Sequence, residues 1–380
     1  MKKKATHFDV IVIGVGGMGA SACYHLAQRG CKVLGLEQFA LGHSHGSSHG
    51  QTRMIRRAYF EHSDYIPLLN RSYELWNRLE NESGEKLWVQ NGLIIYGNPN
   101  SSAVYKGTIE SAAKYNIAVE KLGNSQAIQR FPLFSPEKNM DGVFEPDAGF
   151  LYVEKCVLAH ARLAQTKGAI ILENENVLDY SANDTGVVVK TEKSTYTADR
   201  LVITGGPWNT KLLNDLGTLL KLKRMIQYWF KAPPEYDVNN NVPCFAFHTE
   251  DDFYYGFPML DGKTIKIAAH FAGRSIQNPA QKNIDQIPND ELQPIQEFVR
   301  KYLKKISGNV AQFSTCIYTM TPDEHFLIDR HPKNSRIVFA AGFSGHGFKF
   351  SSVIGEILSD LTLNGTTAQP IDFLRLRKFT

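Results

Sequence analysis

Gly14, Gly16 and Gly19 stand at the spacing that lets a backbone cradle a pyrophosphate, and Glu37 follows where a carboxylate would meet a ribose. Gly14 permits a tight turn after the apolar run Asp9–Ile13. Gly16 has no Cβ, so a phosphate can approach the main chain, and Gly19 lets the next helix pack close to the sheet. That helix offers unpaired N–H groups and the positive end of its dipole to the phosphates. A second apolar run, Lys32–Leu36, leads into Glu37, whose carboxylate accepts from a ribose 2′-hydroxyl and argues against NADP. Strand, glycine turn, helix, strand and acid occur in order, the context that separates a dinucleotide-binding unit from a chance glycine pattern.

Other residues could do chemistry. His43, His45 and His49 lie close together between Gly42 and Gly50, but no acid or cysteine joins them at ligand spacing. The Gly/Ser content reads as a loop near phosphate, and no metal is expected. Arg53, Arg56 and Arg57 follow. In the run Thr264–His270, period-two alternation puts Lys266, Ala268 and His270 on one face, so a cation and an imidazole point toward one cavity. Near the C-terminus an apolar run ends in a glycine loop containing Gly345 and Gly347, followed by Lys349 and a helix. The N-terminal unit alone does not separate NAD from FAD. This second loop tilts the choice toward flavin, because a helix end there stabilises negative charge at N1 and the C2 carbonyl of reduced flavin.

The elements that position these residues follow from composition and pattern. With 380 residues and 43% apolar composition, the chain can bury large cores, and its length suggests about two domains. Net charge is +4 without long basic runs, and Lys2-Lys3-Lys4 reads as a solvated terminus. No nucleic-acid motif or apolar stretch of membrane-spanning length is present. Five single cysteines suggest reduced thiols, and the early first strand leaves no room for a signal peptide; the ending Lys378-Phe379-Thr380 is not a peroxisomal address. The expected location is the cytoplasm. Leu87–Tyr96 reads as two strands about Asn91-Gly92, a hairpin signal, and 101–130 reads as a polar helical region. Residues 221–324 read mainly as strands, with a helix near Asn289–Lys305. Three runs end in glycine turns, at Gly14, Gly205 and Gly342. The expected fold class is α/β with an α+β second domain. Residues 1–85, 150–220 and 325–380 form a discontinuous Rossmann-like cofactor domain, and 86–149 and 221–324 form a mainly antiparallel β-sheet substrate domain.

The chain resembles the monomeric sarcosine oxidase and N-methyltryptophan oxidase family of glycine-oxidase-like, FAD-dependent amine oxidases. The resemblance covers essentially the whole chain. It rests on Gly14–Gly19, His49–Arg56, Thr315–Thr319, Pro322–Asp329 and Gly342–Lys349. It implies FAD attached covalently through Cys316. It implies that Arg56 and Lys349 pair with a substrate carboxylate, and that His270 and Tyr318 lie beside the substrate amine while Tyr255 lines the pocket. Arg53, His49 and Thr52 match the flavin side, and Lys266 matches a lysine that promotes reaction with oxygen. Arg57 has no matching role and is read as structural.

The expected activity is oxidation of sarcosine or another N-methyl amino acid by oxygen. The imine formed hydrolyses to an amino acid and formaldehyde, and hydrogen peroxide is released. The alternatives are an oxidase of cyclic imino acids such as proline or pipecolate, a flavin dehydrogenase with another acceptor, a cofactor-binding subunit without catalysis, and a nicotinamide dehydrogenase. The expected partners are a small amino acid and oxygen, with a monomeric protein.

Overall fold

The computed structural model describes residues 7–216 and 220–379. Lys2-Lys3-Lys4 and Thr380 lie outside the described residues.

The first strand, His7–Ile13, is buried along most of its length, as a strand covered on both faces must be. It pairs in parallel with Val33–Leu36 on one side and Thr195–Ile203 on the other. Thr195–Ile203 is one strand, although the sequence reads as two runs, Thr195–Thr197 and Arg200–Thr204. The backbone ladder carries it across Ala198-Asp199. Its first half pairs antiparallel with Gly186–Thr191, and its last three residues pair parallel with Asn334–Ala341. The three strands that end in glycine turns are therefore neighbours in an eight-stranded sheet. The helices Gly17–Gln28 and Ser351–Asn364 cross in close contact over it. A Cβ on Gly355 would lie 2.1 Å from Ser21 Oγ, so glycine is needed at the crossing.

A second, nine-stranded sheet is antiparallel except where Cys244–His248 pairs with Leu93–Gly97. Near one end of it the long strand Lys221–Lys231 lies between Thr264–Ala269 and Val310–Met320. Ile226, Tyr228 and Phe230 on one face pack into an aromatic core with Phe298 and Tyr302 of the helix Asn289–Tyr302. The opposite face carries Met225, Gln227 and Trp229.

Residues 88–96 depart from the expected hairpin. Trp88–Gln90 joins a small sheet with Gly149–Tyr152 and Thr52–Ile55, while Leu93–Gly97 enters the nine-stranded sheet. A tight Asn-Gly hairpin turn needs positive φ at both central residues, and only Gly92 has it, at +76°. Asn91 instead donates its side-chain amide to Val242 O at 2.9 Å, and Gly92 N–H donates to Ala148 O. The turn hands the chain from one sheet to the next. The polar region 101–130 likewise divides, into helices Ala103–Lys114 and Asn124–Arg130 with a strand Glu120–Leu122 between them. Asn116, at φ +51°, follows the end of the first helix. Among the described residues, no helix is long and apolar enough to cross a membrane.

Candidate active site

One cavity connects the glycine turns to the C-terminal loop. Gly14, Gly16 and Glu37 line one end, and Arg56, Tyr255, His270, Tyr318 and Lys349 line the other. Gly205 and Gly342 also reach it, so all three glycine turns meet there.

At the first end the glycines are required by contact. Gly14 has φ +83°, and a Cβ on Gly19 would fall 1.8 Å from Gly14 O, so the helix sits directly on the turn. At Gly16 a Cβ would meet only Ser48 Oγ, at 3.7 Å, which leaves the backbone open to a ligand. The buried Glu37 carboxylate accepts from Val15 N–H at 2.9 Å and Phe39 N–H at 3.0 Å, and keeps further lone pairs for a ribose. Glu37→Gln is expected to weaken dinucleotide binding roughly tenfold to a hundredfold, for the loss of ~1.5–3 kcal/mol of charge-assisted bonding; a nucleotide-binding titration reads it.

The three loop histidines serve different neighbours. His43 Nε2 lies 3.3 Å from Glu37, His45 stacks on Phe39 at 4.2 Å, and His49 is buried. Burial, with Arg53 beside it, pushes His49 down to about 3, so the imidazole is neutral. Among the described residues no group of three or more His, Cys, Asp or Glu could hold a metal ion.

At the other end Arg53 lines the cavity, its guanidinium pinned by the carbonyls of Thr52 and Ser47 at 2.9 and 3.0 Å. Gly345 and Gly347 permit close approach, since a Cβ on Gly345 would lie 2.3 Å from the Tyr318 ring and one on Gly347 2.5 Å from Phe343. Tyr318 OH is 3.4 Å from His270 Nδ1, and burial pushes His270 down to about 4. Four of the candidate residues stand behind the cavity wall. Lys266 Nζ donates to Gly50 O at 2.6 Å and Thr52 O at 2.8 Å. Thr52 is fully buried, His49 nearly so, and Cys316 is 3% exposed between the wall residue Tyr318 and Met225. Arg57 is structural, stacked 3.8 Å over Tyr73 and bonded to Asp147.

The sequence reading missed two residues. Glu61 lines the cavity and pairs with Arg56, whose Nη2 donates to both carboxylate oxygens at 2.8 Å. Burial favours the neutral acid, but Arg56, His346 and Lys349 together hold Glu61 down at about 2. Arg56 also lies over the rings of Tyr59 and Phe60, at 4.5 and 4.4 Å. Lys349, buried, donates only to His346 O at 2.9 Å, and burial together with Arg56 pushes it down to about 7. Gln227 is 2% exposed, and among the described residues neither of its amide atoms has a partner; nor has His49 Nε2. Alternation from Met225 would have placed Gln227 on the face shared with Trp229.

Buried orphan polar atoms cost ~1–3 kcal/mol each unless something pairs with them. Three such atoms occur in the region behind the cavity wall, where Gly50 packs on Gln227 and Lys266 bonds Gly50. A cofactor with a polar ring edge, or water held against one, fits that demand. A nucleotide turn at one end, Arg53, Arg56 and Lys349 at the other and a continuous cavity between them suit a dinucleotide cofactor beside an anionic substrate. The chain belongs to the FAD dependent oxidoreductase family, whose profile matches residues 9–361. It is 39% identical over 378 residues to a monomeric sarcosine oxidase of Bacillus sp. (strain NS-129), covering 98% of this chain and 97% of that one. It is 34% identical over 375 residues to an N-methyl-L-tryptophan oxidase of Salmonella dublin, covering 98% and 99%. Among solved structures, NikD, an unusual amino acid oxidase essential for nikkomycin biosynthesis, superposes with a TM-score of 0.85 at 25% identity, covering 97% of each chain.

Proposed function

We propose that this flavoenzyme oxidises an N-methyl or other secondary amino acid, with oxygen as the electron acceptor and hydrogen peroxide as a product. The observation that carries the reading is the far end of the cavity, where Lys349 projects a cation with one backbone partner beside the Arg56–Glu61 pair. An amino-acid carboxylate docks on Lys349 and on Arg56. That places its amine near the neutral His270 and the Tyr318 hydroxyl, which hold it unprotonated. Tyr255 bounds the pocket on the same side. Gly14, Gly16 and Glu37 would hold the adenosine and pyrophosphate, and Gly345, Gly347, Arg53, His49 and Thr52 the flavin region. Cys316 is the residue for a covalent link. FAD held there would supply a two-electron acceptor for the C–N unit. Lys266 supports the oxygen step from behind the wall.

The two large sheets favour the division into a cofactor unit (1–85, 150–220, 325–380) and a substrate unit (86–149, 221–324), with the small sheet of Thr52–Ile55 bridging them. A monomer is proposed from the monomeric relatives, and a reducing, cytoplasmic location from five unpaired cysteines.

Anaerobic addition of sarcosine, N-methyl-tryptophan, proline and pipecolate should bleach the flavin with at least one of the N-methyl substrates, and air should then restore colour with peroxide. Faster bleaching by proline or pipecolate would move the substrate class to cyclic imino acids. Bleaching without peroxide in air would make the chain a dehydrogenase. No bleaching by any secondary amino acid would sink the proposal.

A further inference from the structure

Lys282 is a buried lysine outside the machinery described above. It ends the short 3₁₀ segment Pro279–Lys282 and is only 6% exposed, although it borders a solvent-facing cleft shared with His45, Trp208 and Lys211. Among the described residues no carboxylate lies within ion-pair distance of it. Its Nζ makes two long contacts, to Thr315 O at 3.3 Å and Thr315 Oγ1 at 3.5 Å. Thr315 immediately precedes Cys316. A lysine buried without a counter-ion costs free energy unless an anion forms beside it.

Four ionisable groups lie within electrostatic reach of the Cys316 sulfur: Lys282, Lys266 of the strand Thr264–Ala269, Tyr255 of Phe253–Gly256, and Tyr318 of the same strand as Cys316. His49 lies near Lys282, Lys266 and Arg53, and burial keeps it neutral. The strand Lys221–Lys231 presents Met225 opposite Cys316, which carries no charge. Burial raises both phenols, so neither is charged. It pushes Lys266, already bonded to two carbonyls, well below the ordinary lysine range. It lowers Lys282 too, while the nearby sulfur favours the charged form.

We infer that Lys282 is the positioning residue for covalent flavin attachment: its ammonium, held against Thr315, stabilises the Cys316 thiolate that attacks the flavin methyl. The inference rests on the covalent reading of Cys316. Attachment forms a C–S bond between Cys316 and the flavin 8α-carbon. The thiol and that methyl each give up a proton, and the two electrons released pass to dioxygen, so that Cys–SH, flavin–CH₃ and O₂ become Cys–S–CH₂–flavin and H₂O₂. Only the thiolate is nucleophilic, so the rate follows its population.

The test uses the full chain expressed in riboflavin-starved cells, then given FAD in air. Flavin retained in the acid-precipitated pellet is followed with time, and the alkylation rate of Cys316 is measured against pH in the flavin-free chain, with Cys316→Ser as the blank for the other cysteines. Lys282→Met is expected to slow attachment about tenfold at neutral pH and to raise the alkylation midpoint by about one unit. Higher pH should restore the rate, because the thiol then ionises unaided, and Lys282→Arg should retain most of it. A merely structural lysine would not give rescue by pH. Wild-type attachment and an unshifted midpoint in Lys282→Met would overturn the inference. If Lys282→Met does not fold, Lys282→Gln replaces it in the same comparison. If the wild type never retains flavin in the pellet, the covalent reading fails by itself. The inference about attachment then falls with it, whereas flavin retained by the wild type and equally by Lys282→Met overturns the inference alone.

Discussion

Lys349→Met is expected to lower kcat/KM for an N-methyl amino acid by roughly 30- to several-thousand-fold, most of it in KM. Removing one partner of a desolvated charge pair costs ~2–5 kcal/mol, because the substrate carboxylate is left enclosed without its cation. Lys349 is the better target than Arg56. Arg56 already holds Glu61 with two 2.8 Å contacts, so its removal strands a carboxylate and confounds binding with stability, a loss of ~3–5 kcal/mol. Lys349 donates only to His346 O, so a methionine leaves one carbonyl short. Two controls isolate the charge. An N-methyl amine without a carboxylate should react equally poorly with both proteins. The pH profile should also change. Burial and Arg56 set the empty-site Lys349 at about 7, and its charged fraction falls as pH rises through that value. Wild-type KM, corrected for the fraction of uncharged substrate amine, should therefore climb above about pH 7. Lys349→Met should lose that limb. A variant that keeps wild-type KM would remove Lys349 from carboxylate recognition.

The legible parts of this site are those where a residue's job is local. Gly14 has positive φ and a Cβ at Gly19 would strike Gly14 O, constraints set within one turn of chain, while Gly16 is left open to a ligand. Alternation put Lys266 and His270 toward one cavity, but only His270 lines it: both faces of Thr264–Ala269 are buried, and Lys266 bonds Gly50 O and Thr52 O behind the wall. Other features depend on residues far away in sequence. Asn91-Gly92 has hairpin composition, yet Val242 and Ala148 capture its polar groups and send its flanking strands to different sheets. Glu61 is a different case: its partner Arg56 is only five residues away, but the pair matches no helix or strand period, so only the folded loop brings them together. Gln227 sits in a run whose other members are apolar or aromatic, and its unpaired amide is visible only once Gly50 is seen packed against it.

Lys266→Met is expected to separate the two half-reactions. Reoxidation of reduced flavin by oxygen should slow roughly 10²–10³-fold, the scale of losing one preorganised electrostatic group. Reduction by substrate should stay within a few-fold, since Lys266 stands behind Thr52, outside the wall that a substrate touches. Burial holds its ammonium well below the usual range, and two carbonyl oxygens at 2.6 and 2.8 Å orient the amine without neutralising a charge. In the resting protein the position therefore resists a full positive charge. Electron transfer to oxygen creates a negative charge nearby, and in a low-dielectric interior that charge favours the protonated amine strongly. On the proposed function the cation would be stabilised by the step it serves, whereas a surface lysine, screened by water, would respond less steeply. Methionine keeps the volume and removes both the donors and the proton. Stopped-flow traces of the two half-reactions decide the matter: equal slowing of both would mean that Lys266 only supports the Gly50–Thr52 backbone, whereas an isolated oxygen defect that eases as pH falls in Lys266→His would place the charge itself in the oxygen step.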